Sequence, residues 1–532
     1  MFDLIIANGE VVDGTGAPRR RADVGITGDR IAAVGDLSPA KGARRLDAAG
    51  KIVCPGFIDI HTHSDTALLV APEAESAIRQ GCTTHVTGNC GLTSAPTRRE
   101  RRAELQRTLA TQDVGLDWES FGQFLDLYGR RGTAINVVPL VGHCALRAAV
   151  MGYDDRPPTP EELRAMQDLL ARSLDEGAVG MSAGLMYAPS MFAATDELVA
   201  LCRPVVERDG IYATHMRSYA SGVVDAVAET CEIARRSGVR AQISHLQVSG
   251  RPYWGKMDEA LALIEEANRS AEVHADKYPY NAGSAALSQR LPGWAHAGGA
   301  QALLRRLADP ETRARIRREL ETPPAEWTDH VPIDYRDLII SAVATEGNKP
   351  LEGRSVEQIA ALRGRDPVDM VMDLVLEENN RVKMIAHAQS EEGTRRVLTH
   401  AIGMVGSDGS AMAPYGPLSK GVPHPRSYGT FPRILGRYVR DEGLLSLEAA
   451  IRKMTGLPAA KLRLKDRGTL AAGGYADVTV FDPATVMDLA TYTDPHRYSV
   501  GVEHVIVNGA LELEGGRHNG RLRGRVLRGG AG

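Results

Sequence analysis

The stretch that decides the fold is Pro55-Gly56-Phe57-Ile58-Asp59-Ile60-His61-Thr62-His63, an apolar run that ends in two histidines spaced i and i+2. Side chains in an extended strand alternate between faces, so both imidazoles leave one strand end on the same side while Thr62 points away. Two converging neutral imidazoles make half of a transition-metal site. A lone His-x-His is a weak signal. Its weight here comes from the rest of the chain, which sets a further potential ligand at the end of one strand after another.

Working outward, the segments after this run alternate strand, loop and helix. The helix after Thr159 shows the pattern. Thr159 and Glu162 form a capping box, Pro160 takes the first helical position, and Gly177 ends the segment. Leu163, Met166, Leu169, Leu170 and Leu174 line one face. The strand-like Ala178-Val179-Gly180-Met181 follows at once. Such units repeated along the chain predict a parallel sheet covered by helices, best closed as a TIM-like (β/α)8 barrel. Nine strand candidates end near His63, Cys90, His143, Met186, His215, His245, Tyr280, His387 and Asp408. Either the one before Tyr280 or the one before His387 is supernumerary. Prolines 292, 310, 323, 324 and 332 break the rhythm, so 287–340 reads as a small insertion, with a lid as one role for it.

The two ends of the chain share another character. Leu4-Ile5-Ile6-Ala7 runs into the turn pair Asn8-Gly9, and Ala476–Asp482 and Val502–Gly509 repeat the strand-and-turn pattern. Each set is too small to bury a core alone. The inference is one β-sandwich from residues 1–54 and 465–532 around a barrel of 55–464. The glycine-interleaved basic tail from Arg517 to Arg528 reads as a frayed terminus.

Composition narrows the function classes. The chain has 532 residues, 43% apolar and 24% charged, with net charge −4. No basic stripe suits nucleic acid or an anionic membrane. No run approaches the ~20 apolar residues of a membrane span. The N-terminus lacks a secretory pattern, and six scattered cysteines form no disulfide framework. A cytoplasmic setting and a small-molecule substrate are expected.

Five strand ends carry candidate ligands: His61 with His63, Cys90, His215, His245 and Asp408. In a parallel barrel these ends share one mouth. Imidazole, thiolate and carboxylate together suit zinc. Most of the fifteen histidines must be ordinary surface or core residues, His85, His274, His296, His330, His400, His496, His504 and His518 among them, and Cys54, Cys82, Cys144, Cys202 and Cys231 read as structural.

These motifs resemble the amidohydrolase superfamily and, within it, the N-acyl-D-amino-acid deacylases. The resemblance rests on the opening motif, Gly88-Asn89-Cys90-Gly91, Thr214-His215-Met216-Arg217, Ser244-His245, Tyr278-Pro279-Tyr280, Gly406-Ser407-Asp408-Gly409, His424-Pro425-Arg426 and Gly474–Asp482. It implies one tight zinc position at Cys90, His215 and His245, and a second, weaker one at His61 and His63 with Cys90 bridging. It further implies Asp408 as the catalytic carboxylate, and Arg426, Tyr278 and Ser284 as the holders of an N-acyl amino acid's carboxylate. The related cyclic-amide hydrolases bridge their metals with a carboxylated lysine on the fourth strand. Here Gly180–Tyr187 contains no lysine, which argues for linear amides.

One departure stands out: many deacylases of this type carry lysine two positions after the second metal-binding histidine, where this chain has Gln247. The chemistry expected is hydrolysis of an N-acyl-D-amino acid by metal-activated water, with Asp408 moving the proton. The alternatives are another amide, such as a peptide ending in a D-residue, or a catalytically silent assembly protein.

Overall fold

The computed structural model describes residues 1–97 and 118–529. Eight short strands form the central layer: β1 (Phe57–Asp59), β2 (Cys82–Thr87), β3 (Asn136–Pro139, continued by Val141–Gly142), β4 (Gly180–Gly184), β5 (Ile211–His215), β6 (Arg240–Ile243), β7 (Val273–Lys277) and β8 (Gly403–Val405). Each pairs in parallel with the next. The ring closes just beyond the strand ends, where Thr62 bridges Gly409 in parallel and Asp408 N donates to His61 O at 2.8 Å. Ile58, Val86, Val138, Ile211, Ala213 and Met404 fill the interior. Phe57 faces outward and stacks on Phe431, with ring centroids 5.5 Å apart.

The strand before Tyr280 is therefore the seventh barrel strand, and the one before His387 is the extra. Lys383–Ala386 is the middle strand of a separate antiparallel sheet, between Gly283–Ala286 and Leu338–Ala342. This sheet and its helices enclose their own core, with Leu287, Leu303, Ile316, Ile340, Val371 and Met384 buried together. The inserted unit thus runs from Gly283 to Ala386, wider than the 287–340 expected. Its prolines mark only the first half; the second half is helical and reads like the barrel's own units. The Thr328 carbonyl ties it down, accepting from Ser218 Oγ at 2.6 Å and Gly222 N at 3.2 Å in the loop after β5.

The two termini meet in a sandwich. A seven-stranded sheet interleaves Glu10–Val11, Arg20–Arg21 and Ile52–Pro55 with four strands from the C-terminal end. Ile52–Pro55 lies antiparallel to Val478–Phe481. The facing four-stranded sheet comes from the N-terminal end alone, and Ile6, Val24, Val53, Val480 and Ile506 pack between them. The basic tail is not frayed. It lies along β3, where Val137 N donates to Arg525 O at 2.9 Å and Leu527 N to Val137 O at 2.8 Å. Arg525 pairs with Asp29 and Arg528 with Asp126. Backbone pairing of this kind leaves no side-chain pattern, which is why glycine and arginine content misled. Among the described residues no helix is long and apolar enough to cross a membrane.

Candidate metal centre

All six candidate ligands stand at one mouth of the barrel, in two sets that share Cys90. Donor atoms of Cys90, His215 and His245 lie within 4.8 Å of one another, as do those of His61, His63, Cys90 and Asp408. Cys90 Sγ is 3.3 Å from His61 Nε2 and 3.6 Å from His245 Nε2, and His215 Nδ1 is 3.0 Å from His245 Nε2. Tetrahedral bonds of about 2.0–2.3 Å put ligand atoms roughly 3.3–3.6 Å apart. The donor atoms therefore already stand close to the spacing of ligands around one ion.

The backbone is bent to reach this arrangement. Cys90, His245 and Asp408 have φ of +54°, +36° and +51°, a region non-glycine residues seldom occupy. Such strain persists only where surrounding structure enforces it, and it clusters at functional sites. Glycine makes the Cys90 turn feasible: a Cβ at Gly88 would meet Leu140 O at 2.1 Å, and Gly88 and Gly91 both have positive φ.

Asp276 on β7, which the motif reading missed, orients two ligands. Its carboxylate lies 3.1 Å from His61 Nδ1 and accepts from His245 N at 2.8 Å and Gln242 Nε2 at 3.0 Å. The Asp276 contact at Nδ1 fixes the His61 ring with Nε2 turned toward Cys90, as a carboxylate commonly does for a metal-binding histidine. The charged pair Asp276-Lys277 just before the Tyr278-Pro279-Tyr280 motif was the available signal. Met186 and Tyr187, after β4, also flank the centre: His215 Nε2 is 3.2 Å from Met186 Sδ, and Tyr187 Oη is 3.3 Å from His215 Nδ1.

Electrostatics agree with an anionic thiolate and carboxylate among imidazoles. Burial opposes ionisation of Cys90, but the charge on His61 and hydrogen bonds from the surrounding histidines hold it well below the usual thiol range. Burial likewise opposes ionisation of Asp408, and the Arg426 guanidinium leads the groups that hold it well below the carboxylate range. Burial pushes His215 down to about 4, keeping it neutral and able to offer a lone pair.

The residues expected to hold a carboxylate stand beside this centre. Arg426 Nη1 lies 2.7 Å from Asp408 Oδ2 and its guanidinium sits 4.9 Å from the Tyr278 ring centroid. His424 explains the His-Pro-Arg motif: its Nδ1 accepts from Arg426 N at 3.1 Å, so its Nε2 donates to Ala282 O at 3.0 Å. Ser284 lies in Gly283–Ala286 opposite Ile385, and a Cβ on the adjacent Gly283 would be 3.8 Å from Tyr278 Oη. Tyr278 Oη itself donates to Gln247 Oε1 at 2.9 Å.

Comparison with known proteins places this architecture. A family profile described as "Amidohydrolase family" matches residues 44–511. The chain belongs to the amidohydrolase family. It is 40% identical to the D-aminoacylase of Alcaligenes xylosoxydans xylosoxydans, over 99% of this chain and 97% of that one. A solved D-aminoacylase with a binuclear metal center superposes with TM-score 0.83 at 40% identity, covering 99% of this chain and all of the other. The N-acyl-D-glutamate deacylase of Bordetella bronchiseptica, solved with zinc and a phosphonate mimic of the tetrahedral intermediate, gives TM-score 0.84 at 35% identity, covering 99% of each.

Proposed function

We propose that the protein is a zinc-dependent hydrolase that cleaves the amide of an N-acyl-D-amino acid to a carboxylate and a free D-amino acid. The observation that carries this reading is Cys90, shared by two donor sets with Asp408 and Arg426 in contact beside them. The Cys/His/His set fits zinc by donor type and spacing. Zinc bound there would supply Lewis acidity and lower the pKa of water to about 7.

The chain's own groups do the rest. Asp408 Oδ1, 3.0 Å from His63 Nε2, is placed to take the attacking water's proton and return it to the leaving nitrogen. Arg426 offers a planar fork matched to a carboxylate. In its absence that fork rests on Asp408, so an arriving substrate carboxylate draws the guanidinium toward itself. The D preference follows from the kinship with D-aminoacylase and two D-specific deacylases.

The test is steady-state hydrolysis of N-acetyl-D- and N-acetyl-L-methionine before and after chelation, with zinc added back. D-selective activity lost with the metal and restored by zinc is the expected result. Activity indifferent to chelation, or no turnover of either isomer at full zinc occupancy, would overturn the reading.

A further inference from the structure

Lys277 ends β7 with its side chain fully sealed from solvent. Its Nζ donates to Gln389 Oε1 at 2.5 Å and lies 4.1 Å from the Tyr278 ring centroid. Gln389 Nε2 in turn donates to Tyr278 Oη at 2.8 Å, and Tyr278 Oη donates to Gln247 Oε1 at 2.9 Å. The order of donors along this chain is forced. An ammonium has no lone pair, so Gln389 must turn its carbonyl oxygen to Lys277 and its NH2 to Tyr278. The phenol, with its oxygen accepting, has one proton to give, and Gln247 takes it. The amide nitrogen of Gln247 is then left with no hydrogen-bond partner among the described residues, on a half-buried side chain.

We propose that Lys277 is a positioning residue that, through Gln389 and Tyr278, presents the Gln247 amide NH2 as an uncharged donor to the substrate's carboxylate beside Arg426. The proposal rests on the deacylase reading for the identity of that carboxylate. It makes sense of two facts. Tyr278 has spent its only proton, so the donor role that family resemblance gives its hydroxyl passes to Gln247. And the cation absent at position 247 is present three groups further back, behind Tyr278 and Gln389.

Two variants separate this role from simple support of the fold. In Gln389→Glu a carboxylate accepts from both Lys277 and Tyr278. The phenol then becomes an acceptor, Gln247 turns over to donate to it, and its carbonyl oxygen faces the substrate. This variant gains an ion pair, so its thermal stability is expected to hold, while KM for N-acetyl-D-methionine rises about tenfold or more with kcat within threefold. In Lys277→Met/Gln389→Met the buried polar pair is replaced by apolar groups of similar size. Tyr278 then loses the donor that directs its proton to Gln247 and can accept from the Gln247 amide as readily as donate to it, so KM is expected to rise about threefold, less than in Gln389→Glu.

Both are assayed at pH 6.5, below the value of about 7 to which burial and then the Arg426 charge push Lys277. A folded Gln389→Glu protein with unchanged KM would overturn the proposal, as would a double-Met variant with the parent's KM or one impaired more than Gln389→Glu. Parent turnover of N-acetyl-D-methionine tests the deacylase reading separately. Without such turnover the relay is still read from the Gln247 side-chain amide resonances, assigned by their loss in Gln247→Ala. Gln389→Glu must shift them, and unmoved resonances refute the relay.

Discussion

Replacing Asp276 by Asn removes a charge from beneath the metal centre while keeping its shape. Oδ1 still accepts from His61 Nδ1 and His245 N. The new Nδ2 would face Gln242 Nε2, but Gln242 can turn its amide, because its Oε1 has no partner in the parent. Hydrogen-bond number and packing therefore survive, and what falls is the strength of the two contacts that orient the ligands. A bond to a charged acceptor contributes roughly 1.5–3 kcal/mol and a neutral one roughly 0.5–1.5. Two such bonds weakened by about 1 kcal/mol each give about 2 kcal/mol, or ~30-fold in zinc affinity. That lies inside the ~10–100-fold range for outer-shell partners of metal ligands. Competition against a chromophoric chelator measures the affinity, and thermal melting of the metal-free proteins checks that folding is intact. Zinc affinity within threefold of the parent would refute the claim that Asp276 prepares His61 and His245 for a metal.

Two more substitutions probe the pocket and the sandwich. Arg426→Lys keeps the charge but loses the fork and the Tyr278 contact, so kcat/KM for N-acetyl-D-methionine should fall about 100-fold, mostly in KM. Glu512 is sealed in the sandwich, and burial pushes its carboxyl up to about 8, above the 4.5 it would have unfolded. Its stabilisation is complete below about pH 4.5 and is lost as pH rises through 8. Glu512→Gln, neutral at every pH, should match the parent near pH 4.5 and exceed it at pH 8.5 by on the order of 3 kcal/mol in denaturant melts. Equal stability at both pH values would show that this carboxyl is not held protonated.

The convergence of the candidate ligands was legible because strand ends in a parallel barrel meet whatever their separation in sequence, and because Gly88 and Gly91 announce the turn that Cys90 occupies. What failed to show was pairing direction. Val273–Lys277 and Lys383–Ala386 are both short strands of mixed apolar and charged residues, and residue pattern alone does not tell a parallel neighbour from an antiparallel one. Asp276 and Lys277 were hidden for a related reason. A charged residue inside a strand acquires its role from side chains that distant segments bring against it, here His61 and Gln389, and those partners lie 215 and 112 positions away. The tail along β3 is held by main-chain bonds, which have no signature in residue type.

The pairing of Ile52–Pro55 with Val478–Phe481 spans almost the whole chain and sits immediately before β1. A ribosome delivers His61 and His63 long before it delivers Val478. Until then the strand leading into them lacks the neighbour that completes its sheet, so the first histidines to be made are among the last to be fixed. Assembly of the donor set that uses His61 and His63 is thereby tied to completion of synthesis. A nascent or C-terminally truncated chain would hold Cys90, His215 and His245 without a finished second half of the site.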